Sequence, residues 1–348
     1  MFADRIEGKW IDAFCELFER CAVKKGDTAA ILSETQSRQL NVQLAELALL
    51  RLGARPFHVV VPTPRNEYPV PIRSTGASVA IGKLTPVVSA LQQAGFVVDC
   101  TLEGLMHAPE TPDILKAGAR IQVISNEHPE ALERMRPDPA LETRVRNAAR
   151  MLRGAKRMKV TSEAGTDLDV DMAGAQTVGV WGWTDKPGTL AHWPGGIVVS
   201  FPKAKSVNGR LVLDRGDINL TFKRYMVDPI RLDFKDDYIT DIVGEGTDAE
   251  MFRQYLSAWG DREAYAVSHV GWGMNPGARY EALAMYGQRD TNGTEIRAVP
   301  GNFLFSTGAN EFAGRYTAGH FDLPVMKTTI TVDNTVVVKR GVLQDVFG

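Results

Sequence analysis

The stretch Pro86-Val-Val-Ser-Ala-Leu-Gln-Gln-Ala94 and the run that follows it, Phe96-Val-Val-Asp99, decide the fold of the first half of this chain. A second helical pattern near Pro109–Ala117 leads in the same way into Arg120-Ile-Gln-Val-Ile124. Short apolar runs, each fed by a helix, need crossover connections, and crossovers make a mostly parallel sheet. Toward the N-terminus the same alternation continues. Trp10, Phe14, Leu17, Phe18 and Cys21 fall at helical spacing within Glu7–Cys21, and Gly26 follows as a stop. Thr28–Leu32 is a short apolar run, Val42–Leu52 a second helix ending at Gly53, and His58–Val61 before Pro62 reads as a buried strand. No GxGxxG follows a strand, and Gly271-Trp-Gly273 lacks a third glycine at the required offset, so no dinucleotide fingerprint is present.

Toward the C-terminus a charged helix, Leu141–Leu152, closes this half and the character changes. Strands are expected at Lys156–Val160, Asp167–Met172, Gly196–Phe201, Arg210–Leu213, Ile230–Phe234, Lys327–Val332 and Thr335–Lys339. The last two flank Asp333-Asn334 as a hairpin, and one helix, Ala249–Trp259, interrupts the series. The expected organisation is an α/β domain with a mostly parallel sheet over residues 1–155 and a strand-rich α+β domain over residues 156–348. The 348 residues carry 40 basic and 42 acidic side chains, a net charge of 40 − 42 = −2, with 44% hydrophobic and 24% charged residues. That balance lacks the basic field on which nucleic-acid and anionic-membrane binders rely. No run approaches the roughly 18 apolar residues of a membrane span. Met1-Phe-Ala-Asp-Arg5 lacks a basic segment followed by an apolar one, so no secretory signal is expected. Cys15, Cys21 and Cys100 are odd in number and scattered, which reads as reduced thiols in a cytoplasmic protein.

Chemistry is sought first among the six histidines. His58 reads as a core or strand-end residue, and His128, in Asn126-Glu-His-Pro129, as a solvated loop residue beside a helix start. His320-Phe-Asp322 is the sharpest feature. In an extended segment residues two apart share a side, so imidazole and carboxylate converge while Phe321 turns away. Completed by a distant histidine, such a pair gives the two-histidine, one-carboxylate face of non-haem Fe(II) oxygenases. HxD alone is weak, since most such tripeptides are structural. The candidate third ligand is His269, in Ser268-His-Val-Gly-Trp-Gly-Met-Asn-Pro-Gly277, read as a tight loop after Tyr265–Val267; a turn histidine capping a carbonyl is the competing reading. His107 and His192 lie in other loops, where either could act as a general base or support a neighbour. No GxSxG and no HExxH occurs, which removes the common serine-hydrolase and zincin readings. Asp167, Asp169 and Asp171 alternate along a strand and read as a solvated face rather than a cation site.

Six stretches carry a resemblance: Leu105-Met-His-Ala-Pro-Glu110, His192-Trp-Pro-Gly195, Leu211-Val-Leu-Asp-Arg-Gly-Asp-Ile218, Ser268-His-Val-Gly-Trp-Gly273, Gly301-Asn-Phe-Leu-Phe-Ser-Thr-Gly308 and His320-Phe-Asp-Leu-Pro324. With these the chain resembles the 2,5-dihydroxypyridine 5,6-dioxygenases, within a wider superfamily like the aminopeptidase T metallopeptidases. The resemblance implies an aminopeptidase T-like fold and Fe(II) held by His269, His320 and Asp322, with His107 and His192 as pocket histidines. It implies a small dihydroxylated pyridine and O2 as substrates, N-formylmaleamate as product, and a homo-oligomer, with a hexamer among the forms expected. No nucleic-acid or membrane partner is implied. Asn275, Tyr225, Trp181, Trp193 and Ser306 are expected near the pocket. The alternative is a two-metal aminopeptidase or amidase of the same superfamily. Against it, His269 stands where the peptidases carry a glutamate, Ile197 replaces another glutamate, and Phe303-Leu-Phe305 replaces a ligand histidine. Two departures from the dioxygenases bear on substrate preference: Phe321 in place of leucine, and a shorter Gly308–Gly319 loop.

Overall fold

The computed structural model describes residues 5–65, 67 and 78–348. The first half contributes four strands of a five-stranded parallel sheet. Its order is Arg55–Val61, Thr28–Glu34, Phe96–Asp99, Arg120–Ile124 and Leu190–Trp193. Phe96–Asp99 and Arg120–Ile124 are buried along their whole length, as central strands of a parallel sheet covered on both faces are. Helices Gly8–Arg20 and Gln39–Arg51 cover one face, with Phe14, Phe18, Leu44 and Ala48 packed against Ile31, Phe96 and Trp193. Leu91 and Ile114, from the helices Thr85–Gln93 and Thr111–Lys116, close the other face over Leu32, Val97 and Ile121.

Two expectations for this half need correction. Arg55–Val61 is an edge strand rather than a buried one, and Val60 is 60% exposed. His58 accordingly lies on the exposed face, 3.4 Å from Glu46, and not in the core. His128 is no solvated loop residue. It caps the helix Pro129–Arg134, its Nδ1 accepting from the Glu130 N–H at 3.2 Å, and its ring stacks on Tyr286.

The second half contributes two antiparallel sheets with a common core. The eight-stranded sheet contains the expected hairpin Thr328–Val332 and Thr335–Lys339, together with Arg157–Ser162, Asp167–Asp171, Val207–Leu213 and Ile230–Lys235. Asp167 and Asp169 pair with Lys159 and Arg157, while Asp171 accepts from the Ala173 N–H at 2.9 Å. The five-stranded sheet runs in the order Arg315–Val325, Phe303–Asn310, Val267–Gly273, Ile197–Phe201 and Gln176–Val180. Trp272, Phe303, Phe305 and Phe321 from this sheet meet Val160, Leu168, Leu211 and Ile330 from the larger one. The fold is therefore a parallel α/β half joined to a strand-rich antiparallel half.

The two halves interlock. Leu190–Trp193 belongs to the second half by sequence, yet it pairs in parallel with Arg120–Ile124 and completes the first sheet. Three residues later the chain re-emerges as Ile197–Phe201 in the five-stranded sheet. Among the described residues, no helix is long and apolar enough to cross a membrane. Cys15, Cys21 and Cys100 are free and buried, and burial pushes the Cys21 thiol up to about 12.

Candidate metal centre

Three adjacent strands of the five-stranded sheet build the site. Ser306 faces Asp322 directly across the ladder, and Gly308 faces His320. On the other side of the Phe303–Asn310 strand, the pairing with Val267–Gly273 slips between Val267 and Val270. Ser268 and His269 together thus oppose the single residue Ser306, a bulge of the kind that re-aims a side chain beside an active site. His269, His320 and Asp322 end with one potential ligand atom each, all within 4.8 Å of one another. Asp322 Oδ1 lies 3.3 Å from His320 Nε2 and 3.6 Å from His269 Nε2. Phe321 points the opposite way, fully buried and stacked on Phe252 with centroids 4.6 Å apart.

The expectation of a glycine loop around His269 is corrected by this geometry. His269 lies inside the strand Val267–Gly273. The glycines that read as a turn serve close backbone approach instead: a Cβ on Gly271 would sit 1.9 Å from the Val198 carbonyl oxygen. Gly308, at φ 119°, has the same function opposite His320, where a Cβ would meet the Gly319 oxygen at 2.1 Å.

The carboxylate is held by one oxygen. Arg297 donates to Asp322 Oδ2 from Nε at 2.7 Å, with a second guanidinium nitrogen at 2.6 Å, while Oδ1 is buried without a hydrogen-bond partner. His269 Nδ1 is also buried and unpartnered. Burial alone would raise the Asp322 pKa, but Arg297, His320 and His269 together hold it well below the usual carboxylate range. Burial lowers His269 to about 3, which leaves a neutral imidazole with a free lone pair. A buried, ionised carboxylate with an orphaned oxygen beside two imidazoles fits a divalent cation. Two nitrogens and one oxygen on one side, with the other side open, suit a metal that must also bind small molecules. Among the described residues this is the one cluster of three such groups.

A cavity of about 1120 Å³ opens in front of these ligands, between the two halves. Its other wall is the carboxyl end of the parallel sheet, where open α/β sheets place their ligands. His107, Ser125, Asn126 and His192 reach it from there. His192 belongs to the strand Leu190–Trp193, and its Nδ1 lies 3.0 Å from the Pro194 carbonyl. A carbonyl only accepts, so Nδ1 carries the proton and Nε2 the lone pair. Burial, with a contribution from Arg297, lowers this histidine to about 4. His107 is open to the cavity, yet the enclosing walls displace bulk water and, with His320 nearby, lower it to about 4 as well. Asp99 sets its loop, accepting from the Thr101 and Leu105 N–H groups at 2.9 and 2.6 Å.

Of the residues expected near the pocket, Trp181 lines the cavity. Trp193 is instead in the core, donating to the Met135 carbonyl, and Tyr225 bonds the Tyr280 carbonyl. Asn275 braces Gly195, and Ser306 is buried in the ladder opposite Asp322. Aromatic and amide side chains next to glycines read as pocket residues; here they fill the tight packing that those glycines permit. Arg297 was not foreseen, because the string Thr294-Glu-Ile-Arg297 carries no distinguishing pattern.

The sequence profile of the 2,5-dihydroxypyridine 5,6-dioxygenases matches residues 9–345. A curated 2,5-dihydroxypyridine 5,6-dioxygenase from Pseudomonas putida is 36% identical over 324 residues, covering 92% of this chain and 91% of the relative. The chain belongs to the 2,5-dihydroxypyridine 5,6-dioxygenase family. A solved structure of the dioxygenase from Pseudomonas putida KT2440 superposes with a TM-score of 0.90 at 33% identity, covering 97% of both chains. AmpT from Thermus thermophilus shares the fold, with a TM-score of 0.65 at 15% identity over 96% of this chain and 99% of that one. The aminopeptidase T-like architecture of this dioxygenase family member is thereby established.

Proposed function

We propose that this protein is a mononuclear Fe(II)-dependent dioxygenase that opens the ring of 2,5-dihydroxypyridine with O2 to give N-formylmaleamate. The observation that carries the reading is the grouping of His269, His320 and Asp322 around the orphaned Asp322 Oδ1, in a member of this family. Ferrous iron held by those three residues would supply redox chemistry and open positions for substrate and O2. Against a second metal, Ile197 and Leu304 line the cavity where the peptidase reading needs ligands, and both are apolar. The same reading makes the enzyme a homo-oligomer, as its family resemblance implies, and its three free cysteines suit a cytoplasmic location.

The chain's own residues bind and hold protons. His192 Nε2, neutral and fixed in its tautomer, accepts a hydrogen bond from a ring hydroxyl. With a pKa of about 4 it takes the proton fully only as negative charge develops on the substrate oxygen, which raises the imidazole pKa by stabilising its protonated form. His107 approaches from the opposite loop as a second neutral acceptor. The Arg297 guanidinium lines the cavity as well as holding Asp322, so it favours an anionic ring beside the site.

A pH dependence follows. A base works unprotonated, so activity falls as pH drops through its pKa; the His192 pKa is lowered, so the limb moves to lower pH. The acid limb of kcat/KM attributable to His192 is expected near pH 4 rather than near the ordinary value of 6.5. A limb near 6.5 that disappears in His192→Gln would contradict this assignment. For the function itself, the direct test is anaerobic loading with Fe(II), metal analysis and oxygen-electrode measurement with 2,5-dihydroxypyridine. One iron per chain and one O2 consumed per ring opened are expected. Two metals per chain, with peptide turnover and no oxygen uptake, would establish the aminopeptidase alternative instead.

A further inference from the structure

We propose that Glu127, a residue of the first half, is a positioning residue for the metal-binding carboxylate of the second half, acting through Arg297. The inference rests on the metal centre proposed above and adds to it a support that reaches across the cleft.

Glu127 is 1% exposed, and its carboxylate closes on a single turn of backbone. Oε2 accepts from the Asn292 N–H at 2.8 Å, while Oε1 accepts from the Gly293 and Glu295 N–H groups at 2.8 and 3.1 Å. Three charge-assisted hydrogen bonds to one rigid carboxylate fix the position and the tilt of that turn. The Ser125 and Thr294 hydroxyls, 3.0 Å apart, add a fourth tie between the same two segments. Glu127 is itself anchored, since Asn41 donates to its backbone carbonyl at 3.1 Å.

The turn so held runs into the short helix Thr294–Arg297. At its end Arg297 takes Asp322 Oδ2 with two nitrogens, leaving Oδ1 toward the two histidines. Both nitrogens meet the single oxygen Oδ2, so the guanidinium fixes where that oxygen sits and leaves Oδ1 to face the metal. Displacing the turn by a fraction of an ångström therefore rotates the oxygen offered to the metal. Glu295 holds the same turn from its other side, accepting from Arg134 at 2.7 Å and from the Arg279 N–H at 2.9 Å. With that second grip the turn keeps its fold when Glu127 is altered, so the change is one of aim. Asn292, Thr294 and Arg297 also line the cavity, and the wall and the ligand move together.

The test is Co(II) binding by calorimetry and by visible absorption, in the full-length chain, for wild type, Glu127→Gln, Arg297→Lys and the double variant. Glutamine keeps the size of the side chain but turns an N–H toward one of the three donors. Each single variant is expected to weaken Co(II) binding by roughly 10–100-fold and to shift its ligand-field bands. Because both act on one relay, the double variant is expected to be no weaker than the worse single. Wild-type affinity and spectrum in Glu127→Gln would overturn the proposal, as would losses that multiply in the double variant. Should Glu127→Gln fail to fold, Glu127→Asp is measured in its place: a loss supports the relay, and wild-type affinity overturns it. A wild-type chain that takes up no Co(II) would instead remove the metal centre on which the relay depends.

Discussion

His320→Ala is expected to abolish metal retention and ring-opening turnover while leaving the metal-free chain close to wild-type stability. The imidazole borders an open cavity, so its removal enlarges that space instead of creating a sealed void, and the usual cavity cost is largely avoided. No side chain stands across the ladder from it, because its partner there is Gly308. The bond from the Tyr255 hydroxyl goes to the His320 backbone carbonyl at 3.0 Å and survives the substitution. The Arg297–Asp322 pair is also untouched. Asp322→Ala is a poorer choice for the same question, because it removes the Arg297 ion pair together with the ligand and so mixes a stability change with the loss of metal. Metal content after anaerobic loading, oxygen uptake and a melting curve of the metal-free protein check the prediction together. Full metal occupancy in the variant would remove His320 from the ligand set.

The largest stability effect is expected from Asp237→Ala. Asp237 accepts from the backbone N–H groups of Lys205, Ser206 and Val207 at 2.7–2.8 Å and from Arg315 at 2.7 Å. Both partners of the ion pair are nearly inaccessible, with side-chain exposures of 1% and 6%. Arg315 also donates to the Val267 carbonyl. One carboxylate thus pins the start of the strand carrying His320 and Asp322 and, through Arg315, the start of the strand carrying His269. Alanine leaves a buried guanidinium uncompensated and places a Cβ residue without polar support at φ 79°. The loss is expected at about 3–5 kcal/mol, a fall in melting temperature on the order of 10 °C. Asp237→Asn, which keeps an acceptor oxygen and tolerates positive φ, should lose less. Equilibrium urea unfolding decides it, and a change below about 1 kcal/mol would show that the pair is not an anchor.

The central strands of the first half were legible because they are buried on both faces. Such strands leave short, mostly apolar runs after a helix, and Phe96–Asp99 and Arg120–Ile124 fall where those runs are. The five-stranded sheet was not legible in the same way. One of its faces packs on the core and the other meets the cavity, so Phe303–Asn310 and Arg315–Val325 mix glycine, threonine, histidine and aspartate among their apolar residues. The shared face of His320 and Asp322 follows from period-two geometry alone. The position of His269 within a strand does not, because glycines needed for close backbone approach look like turn residues. Arg297 and Glu127 lie beyond sequence reading for a further reason. Their importance comes from what stands opposite them, 25 residues away for Arg297 and up to 168 for Glu127.

The strand Leu190–Trp193 bears on how such a protein can change over evolutionary time. It is the outermost strand of the first sheet, and it carries a cavity histidine although the chain reaches it only after the second half has begun. Neither half is a transferable module. Grafting a different N-terminal portion onto the metal-binding sheet would leave this strand without a bed and His192 without a fixed bearing. New specificities in a scaffold of this kind are more readily reached by point changes along the cleft than by recombination of whole segments.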